Sequence, residues 1–147
     1  MTMNEAWRKV KAFHQAYSVP VSDQPGKLSE ERVAKRKKWM EEELDEFAKA
    51  STIEDQADAM IDTIYLALGT LVEMGVKPEA VFQIVHEANM SKLWPDGKPR
   101  YRETDGKVIK PPGWKDPQPR IREVIRKQKM ETANGPANEP TGVLHED

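Results

Sequence analysis

The sequence predicts an all-α protein: an antiparallel helical bundle of four main helices with a small β-hairpin and a short C-terminal helix, assembled as an oligomer. Three observations carry this reading. Apolar residues recur at steps of three and four through four successive segments. Glycine, proline and Ser/Thr capping residues fall between those segments. Only 37% of the 147 residues are hydrophobic, enough for one modest core that a second copy of the chain would complete.

The first helix is placed from about Asn4 to Tyr17, where Ala6, Trp7, Val10, Phe13 and Tyr17 share a face. Pro20, Pro25 and Gly26 interrupt the pattern from Ser18 to Leu28, and Ser29 caps the second helix with Glu30 and Glu31 in its first turn. That helix reaches about Ala50 along Val33, Met40, Leu44 and Phe47. Ser51-Thr52-Ile53-Glu54 then has the spelling of a capping box, so helices two and three are antiparallel neighbours. Helix three, from Thr52 to about Met74, is about 35 Å long at 1.5 Å per residue. Ile53, Ala57, Met60, Ile61, Ile64, Leu68 and Leu71 give it a broad apolar face. Gly75 ends it. Pro78 suits the first turn of helix four, whose Val81, Ile84, Val85 and Ala88 continue the bundle to about Ser91.

Past Leu93 the helical period is lost. Pro95-Asp96-Gly97 reads as a turn, and Tyr101 to Ile109 as a hairpin about Thr104-Asp105-Gly106 that must lean on the bundle or on a partner. Ile121, Val124 and Ile125 mark a closing helix from about Pro119 to Lys129. Residues 1–129 thus form one domain, and 130–147, almost without apolar residues, a flexible tail.

Cysteine is absent, which excludes disulfides, thiol nucleophiles and zinc ribbons and fits a reducing compartment. No run of 18 apolar residues and no apolar N-terminal stretch occurs, so the expectation is a cytoplasmic protein with no membrane contact. Charge is unevenly distributed. From Lys92 to Lys129 there are twelve Lys and Arg against five acids, following an acidic middle.

That middle holds the chemistry. Glu43 and Glu46 lie three apart on helix two, Glu42 and Glu46 four apart, and Asp55, Asp58 and Asp62 follow at offsets of three and four on helix three. Like charges at these spacings repel, so two such stripes need either full solvation or a compensating cation. Oxygen ligands in that number suit Mg2+ or Mn2+. Charge runs are usually solvated helix faces, and Glu41 and Asp45 read that way.

The order of motifs resembles the MazG-like, all-α nucleoside triphosphate pyrophosphohydrolases, related to phosphoribosyl-ATP pyrophosphohydrolase. The EExxE of that family is matched by Glu42-Glu43-Leu44-Asp45-Glu46 and its ExxD by Asp55-Gln56-Ala57-Asp58, with a further acid at Asp62. Phe13-His14-Gln15, Leu28 to Ala34, Asn89-Met90-Ser91-Lys92 and Asp105 to Gly113 match as flanking segments, so the resemblance spans roughly residues 4 to 125. The ExxD opens with Asp55 where glutamate is usual, and only eight residues separate Glu46 from Asp55, fewer than is customary. Asp62 could supply the oxygen that a shorter carboxylate leaves missing.

The resemblance implies Mg2+-dependent hydrolysis of a (deoxy)nucleoside triphosphate to the monophosphate and pyrophosphate, with Mn2+ as a substitute metal. It implies Glu43, Glu46, Asp55 and Asp58 as metal ligands, with Asp62 added, and Glu42 as the base that deprotonates the attacking water. Asn89 and Lys92 are implied as nucleotide contacts, and Lys107 and Lys110 join them by charge and matching segment. dGTP or dCTP is the first expectation for substrate, with phosphoribosyl-ATP, dUTP and a guanosine alarmone open, in a phage or bacterial enzyme that is a homodimer or homotetramer. His14 is a candidate contact to base or sugar, though a lone histidine on an amphipathic helix more often packs inside. His86 lacks the Glu-x-x-His partner of a di-iron bundle, because position 83 is Gln. Trp7, Trp39, Trp94 and Trp114 could include a stacking platform, with burial the simpler fate for each. The alternative function is a nucleic-acid-binding or helical interaction module using the basic segment 92–129, but a nucleic acid would lie beside the carboxylates.

Overall fold

In the computed structural model, which describes residues 1–133, five helices follow one another: α1 (Met3–Ala16), α2 (Glu30–Lys49), α3 (Ile53–Met74), α4 (Glu79–Met90) and α5 (Gln118–Ala133). The first three start at side-chain caps. Thr2 Oγ1 accepts from the Glu5 amide at 3.0 Å, Ser29 Oγ from Arg32 at 3.2 Å, and Thr52 Oγ1 from Asp55 at 3.1 Å. The cap of α3 is thus Thr52, one residue later than the Ser51-to-Glu54 spelling places it. Gly75 closes α3 in the left-handed conformation at φ 70°.

Trp7 and Val10 of α1 pack on Leu68 and Val72 of α3, with Met3, Ala6, Val21 and Leu71 around them. Burying aliphatic and aromatic side chains of this size contributes roughly 1.5–3 kcal/mol each. The loop between α1 and α2 lies over the C-terminal end of α3: the Ser22 amide donates to the Val72 carbonyl at 3.2 Å, and Gly26 to Met74 at 2.9 Å. α2 packs along α3 with Arg36 as its buried residue.

The fourth helix departs from expectation. The chain changes direction by 120° between α3 and α4, and α4 packs on α5 instead of completing an antiparallel four-helix bundle. Periodicity shows that Ile84 and Ala88 are covered but cannot show by what. The α4–α5 arm is tied back at two points. Asn4 Oδ1 accepts from the Glu79 amide at 3.0 Å, and Gln128 exchanges two hydrogen bonds with the backbone of Lys77, at 3.0 and 3.1 Å.

The hairpin is also corrected. The chain does reverse at Thr104-Asp105-Gly106, but among the described residues only one antiparallel bridge forms, Tyr101 with Val108, and no strand. The turn is held locally, by Arg102 on Asp105 and by the Lys107 amide on Asp105 Oδ1 at 3.1 Å. Two strands without a third are marginal, and here the ladder ends almost at once. α5 runs to Ala133, four residues beyond the expected domain end at Lys129. The flexible tail expected over 130–147 is therefore helical at 130–133, and its remainder lies outside the described residues. Among the described residues no single helix is long and apolar enough to cross a membrane.

Candidate active site

The α2–α3 pair is registered by a buried ionic network. Glu73, on α3, takes Arg32 Nε at 2.6 Å, Arg32 Nη2 at 2.8 Å and Arg36 Nη1 at 2.8 Å. Arg36 also donates to Thr70 Oγ1 at 3.1 Å and to the Leu66 carbonyl at 2.8 Å. Both guanidinium groups sit over the Trp39 ring, at 5.2 and 5.1 Å from its centroid. Burial alone would push the Glu73 carboxyl up, but the hydrogen bond from Arg32 and the charges of Arg36, Arg32 and His14 hold it below the usual glutamate range. Gly69 lies at the same crossing: a Cβ there would meet Arg36 Nη2 at 2.6 Å and His14 Nε2 at 2.8 Å.

Moving from this network toward the α2–α3 turn brings Glu43, Glu46 and Asp62 together, one carboxylate oxygen from each lying within 4.8 Å of the others. Burial pushes the Glu43 carboxyl above its usual range, reinforced by hydrogen-bonding contact with Glu46 and by the charges of Glu46, Asp62 and Asp58. Asp62 is raised in the same way, by burial first and then by Asp58 and Glu46. Asp58 therefore belongs to the group electrostatically. Oε2 of Glu43 is buried with no hydrogen-bond partner, an arrangement that costs free energy unless a cation or donor meets it.

The other candidates separate. Glu42 is exposed on α2 next to the cluster. Asp55 lies in the first turn of α3, seven residues and about 10 Å of helix rise before Asp62, and is not part of the close group. With Arg36 opposite Thr70, an antiparallel register carries Asp55 beyond the end of α2 at Lys49. His14 is buried, with Nδ1 2.9 Å from the Pro20 carbonyl oxygen, so its ring belongs to the interior and not to a substrate surface. Asn89, Lys92, Lys107 and Lys110 lie on or beside the α4–α5 arm. Lys92 and Lys110 place their ammonium groups over Trp114, at 5.5 and 4.7 Å from the ring centroid. Asn89 and Lys107 are exposed. No contact joins these four to the carboxylates among the described residues.

The sequence reading missed Arg32, Arg36 and Glu73. Their signal was present as two arginines four apart on α2 and a single acid inside Leu71-Val72-Glu73-Met74. A lone charge in an apolar run, facing two opposite charges at helical spacing, is the mark of a buried pair.

Carboxylates from two antiparallel helices converging on one point are an arrangement that can hold a hard cation against an anionic substrate. The phosphoribosyl-ATP pyrophosphohydrolase family model matches residues 10–89, more than half of the chain and all of the carboxylate group. The chain belongs to this family, within the MazG-like all-α pyrophosphohydrolases, and is an enzyme of that kind. Among solved structures it is similar to a protein from Exiguobacterium sp. 255-15 provisionally described as an NTP pyrophosphohydrolase. The two are 31% identical over 86% of this chain and 96% of the other, with a TM-score of 0.48. No curated protein sequence matches.

Proposed function

We propose that this enzyme hydrolyses a (deoxy)nucleoside triphosphate to the monophosphate and pyrophosphate, dGTP or dCTP first among candidates, with Mg2+ or Mn2+ held by Glu43, Glu46, Asp58 and Asp62. The observation that carries the metal part is the unpartnered Glu43 Oε2 inside a group of carboxylates that repel one another. All the donors are hard oxygens, which fits these ions and not zinc or copper. In this reading Asp58 and Asp62 supply the oxygens from α3, and Asp55, also expected as a ligand, lies outside the close group. When bound, the divalent ion supplies positive charge against the triphosphate and the acidic group together.

The residues do the rest. Glu42, exposed beside the group, accepts the proton of a water that attacks the α-phosphorus, and the bond from that phosphorus to the bridging oxygen breaks with its electrons leaving on pyrophosphate. Ile61, Ile64 and Tyr65 of α3 and Phe82 and Met90 of α4 are exposed, and in this reading a second copy covers them to form a homodimer or a dimer of dimers. Light scattering that returned a monomer mass at micromolar concentration would remove the oligomer. A nucleic-acid role for the arm is less favoured, because Arg100, Arg102, Arg120 and Arg126 are engaged by Asp96, Asp105, Glu87 and Glu123. The reading is of a phage or bacterial nucleotide-pool enzyme acting in the cytoplasm. A panel of nucleotides assayed for pyrophosphate release, with Mg2+ and with EDTA, tests it.

A further inference from the structure

Phe13 and Tyr17 at the C-terminal end of α1 and Tyr65 on α3 form a cluster of aromatic rings. The Phe13 ring centroid lies 4.7 Å from that of Tyr17 at a tilt of 37°, and 5.6 Å from that of Tyr65, edge to face at 85°. The cluster is open to solvent, with Phe13 42%, Tyr17 70% and Tyr65 38% exposed. It also borders the carboxylate group. Tyr65 follows Asp62 by three residues, which puts the two on one face of α3, one turn and about 4.5 Å of rise apart. The end of α1 that carries Tyr17 is fixed. The Val19 amide donates to the His14 carbonyl at 2.8 Å, and His14 Nδ1 donates to the Pro20 carbonyl at 2.9 Å. Between them Ser18 takes a φ of 56°, a left-handed conformation uncommon outside glycine that persists only where its surroundings impose it. The tryptophans offer no equivalent surface beside the carboxylates: Trp7 is buried, Trp39 lies under Arg32 and Arg36, and Trp94 and Trp114 follow α4.

We propose that Phe13, Tyr17 and Tyr65 are the platform on which the base of the substrate stacks, and that they select by ring area, favouring a purine over a pyrimidine. This rests on the hydrolytic reading, to which it adds three residues and a choice between its first two candidates, dGTP over dCTP. With the phosphates at the carboxylate group, the sugar spans the turn of α3 between Asp62 and Tyr65, and the base reaches the rings. Aromatic faces accept every base, because every base has a π-face, and what they distinguish is the surface covered. The rings carry no charge, so their contribution falls on the base and not on the phosphates. Tyr65 also edges the face of Ile61 and Ile64 that a second copy covers in that reading, whereas Phe13 and Tyr17 belong to α1.

The test is calorimetry on the full chain with Mg2+, titrated separately with the α,β-imido analogues of dGTP and dCTP, which resist cleavage at that bond, and with inorganic tripolyphosphate. The expected order of affinity is the dGTP analogue, then the dCTP analogue, then tripolyphosphate. Tyr17→Ala and Phe13→Ala should each weaken the dGTP analogue by about tenfold and leave tripolyphosphate unchanged, while Tyr17→Phe and Tyr65→Phe, which keep the rings, should bind as the parent does. Circular dichroism checks that Phe13→Ala still folds, and Tyr17, the most exposed of the three, removes a ring without removing core packing. Equal losses for nucleotide and tripolyphosphate overturn the proposal, by making the rings a support for the carboxylates. Unchanged nucleotide affinity overturns it too, and with a fall in mass by light scattering assigns the rings to a subunit interface. A dCTP analogue bound as tightly as the dGTP analogue overturns the selection by area. Because the analogues report binding alone, a failure here with pyrophosphate release intact is distinct from a failure of the hydrolytic reading, in which release is absent.

Discussion

Glu43 on α2 and Asp62 on α3 present carboxylate oxygens within 4.8 Å of each other, while Oε2 of Glu43 is buried without a partner. The proposed metal set therefore rests on Asp62, while Asp55, near the start of α3, lies outside the close group. Asp62→Ala should sharply weaken Mn2+ binding measured by calorimetry or paramagnetic relaxation, because the remaining groups cannot move to replace a lost oxygen. Asp55→Ala should leave it nearly intact. Equal losses in the two variants would return Asp55 to the site.

Carboxylates gathered this closely repel one another unless a cation compensates them. In EDTA, Glu46→Gln should raise the melting temperature by about 2–4 °C, because one of the mutually repelling charges is gone. Adding Mg2+ should stabilise the parent enzyme and have little effect on the variant. A variant less stable than the parent in EDTA would show that Glu46 makes a favourable structural contact instead.

Glu42 is assigned a different task from its neighbours. Glu42→Gln keeps shape and one hydrogen-bonding oxygen but cannot take a proton from water, and loss of a general base costs about a hundred- to ten-thousandfold in rate. Turnover should fall in that range while calorimetry shows metal and nucleotide binding retained, and excess Mn2+ should not restore it. Metal binding lost as badly as in Glu46→Ala would make Glu42 a ligand, with Asp62 the next candidate for the base.

The buried network around Glu73 governs stability in acid. Its carboxyl is held below the usual range in the folded protein, so its contribution is fully present above the unfolded glutamate pKa and is lost as pH falls through the depressed folded value. Chemical denaturation from pH 7 downward should show this loss below about pH 4, and Glu73→Gln should flatten that limb. Glu73→Ala leaves Arg36 buried and uncompensated, a loss of roughly 3–5 kcal/mol. A cost under about 1 kcal/mol, as for an exposed pair, would contradict the burial of this network.

Much of this was legible in the sequence because helices announce themselves locally. Ser29 and Gly75 mark their helix ends where the structure has them, and Glu43 and Glu46 point to a shared face by spacing alone. Asp55 and Asp62 were both candidates, and what spacing could not show is the register that Arg36, Thr70 and Glu73 set across the interface, which brings Asp62 beside Glu43 and leaves Asp55 apart. The direction of α4 was hidden for a related reason: the period of Ile84 and Ala88 is the same whether α5 or the bundle covers them. At 101–109 the Thr-Asp-Gly signal gave the reversal correctly, but pairing beyond Tyr101 and Val108 needs a neighbouring strand that local chemistry does not supply.

The most direct test of the hydrolytic account is pyrophosphate release from a panel of (deoxy)nucleoside triphosphates, followed with Mg2+ and with EDTA for the parent enzyme and Asp62→Ala. The account predicts that at least one triphosphate, dGTP or dCTP first, yields equal amounts of monophosphate and pyrophosphate with Mg2+, and that EDTA or Asp62→Ala abolishes the reaction. Turnover that persisted undiminished in EDTA and in Asp62→Ala, or release of orthophosphate in place of pyrophosphate, would contradict it.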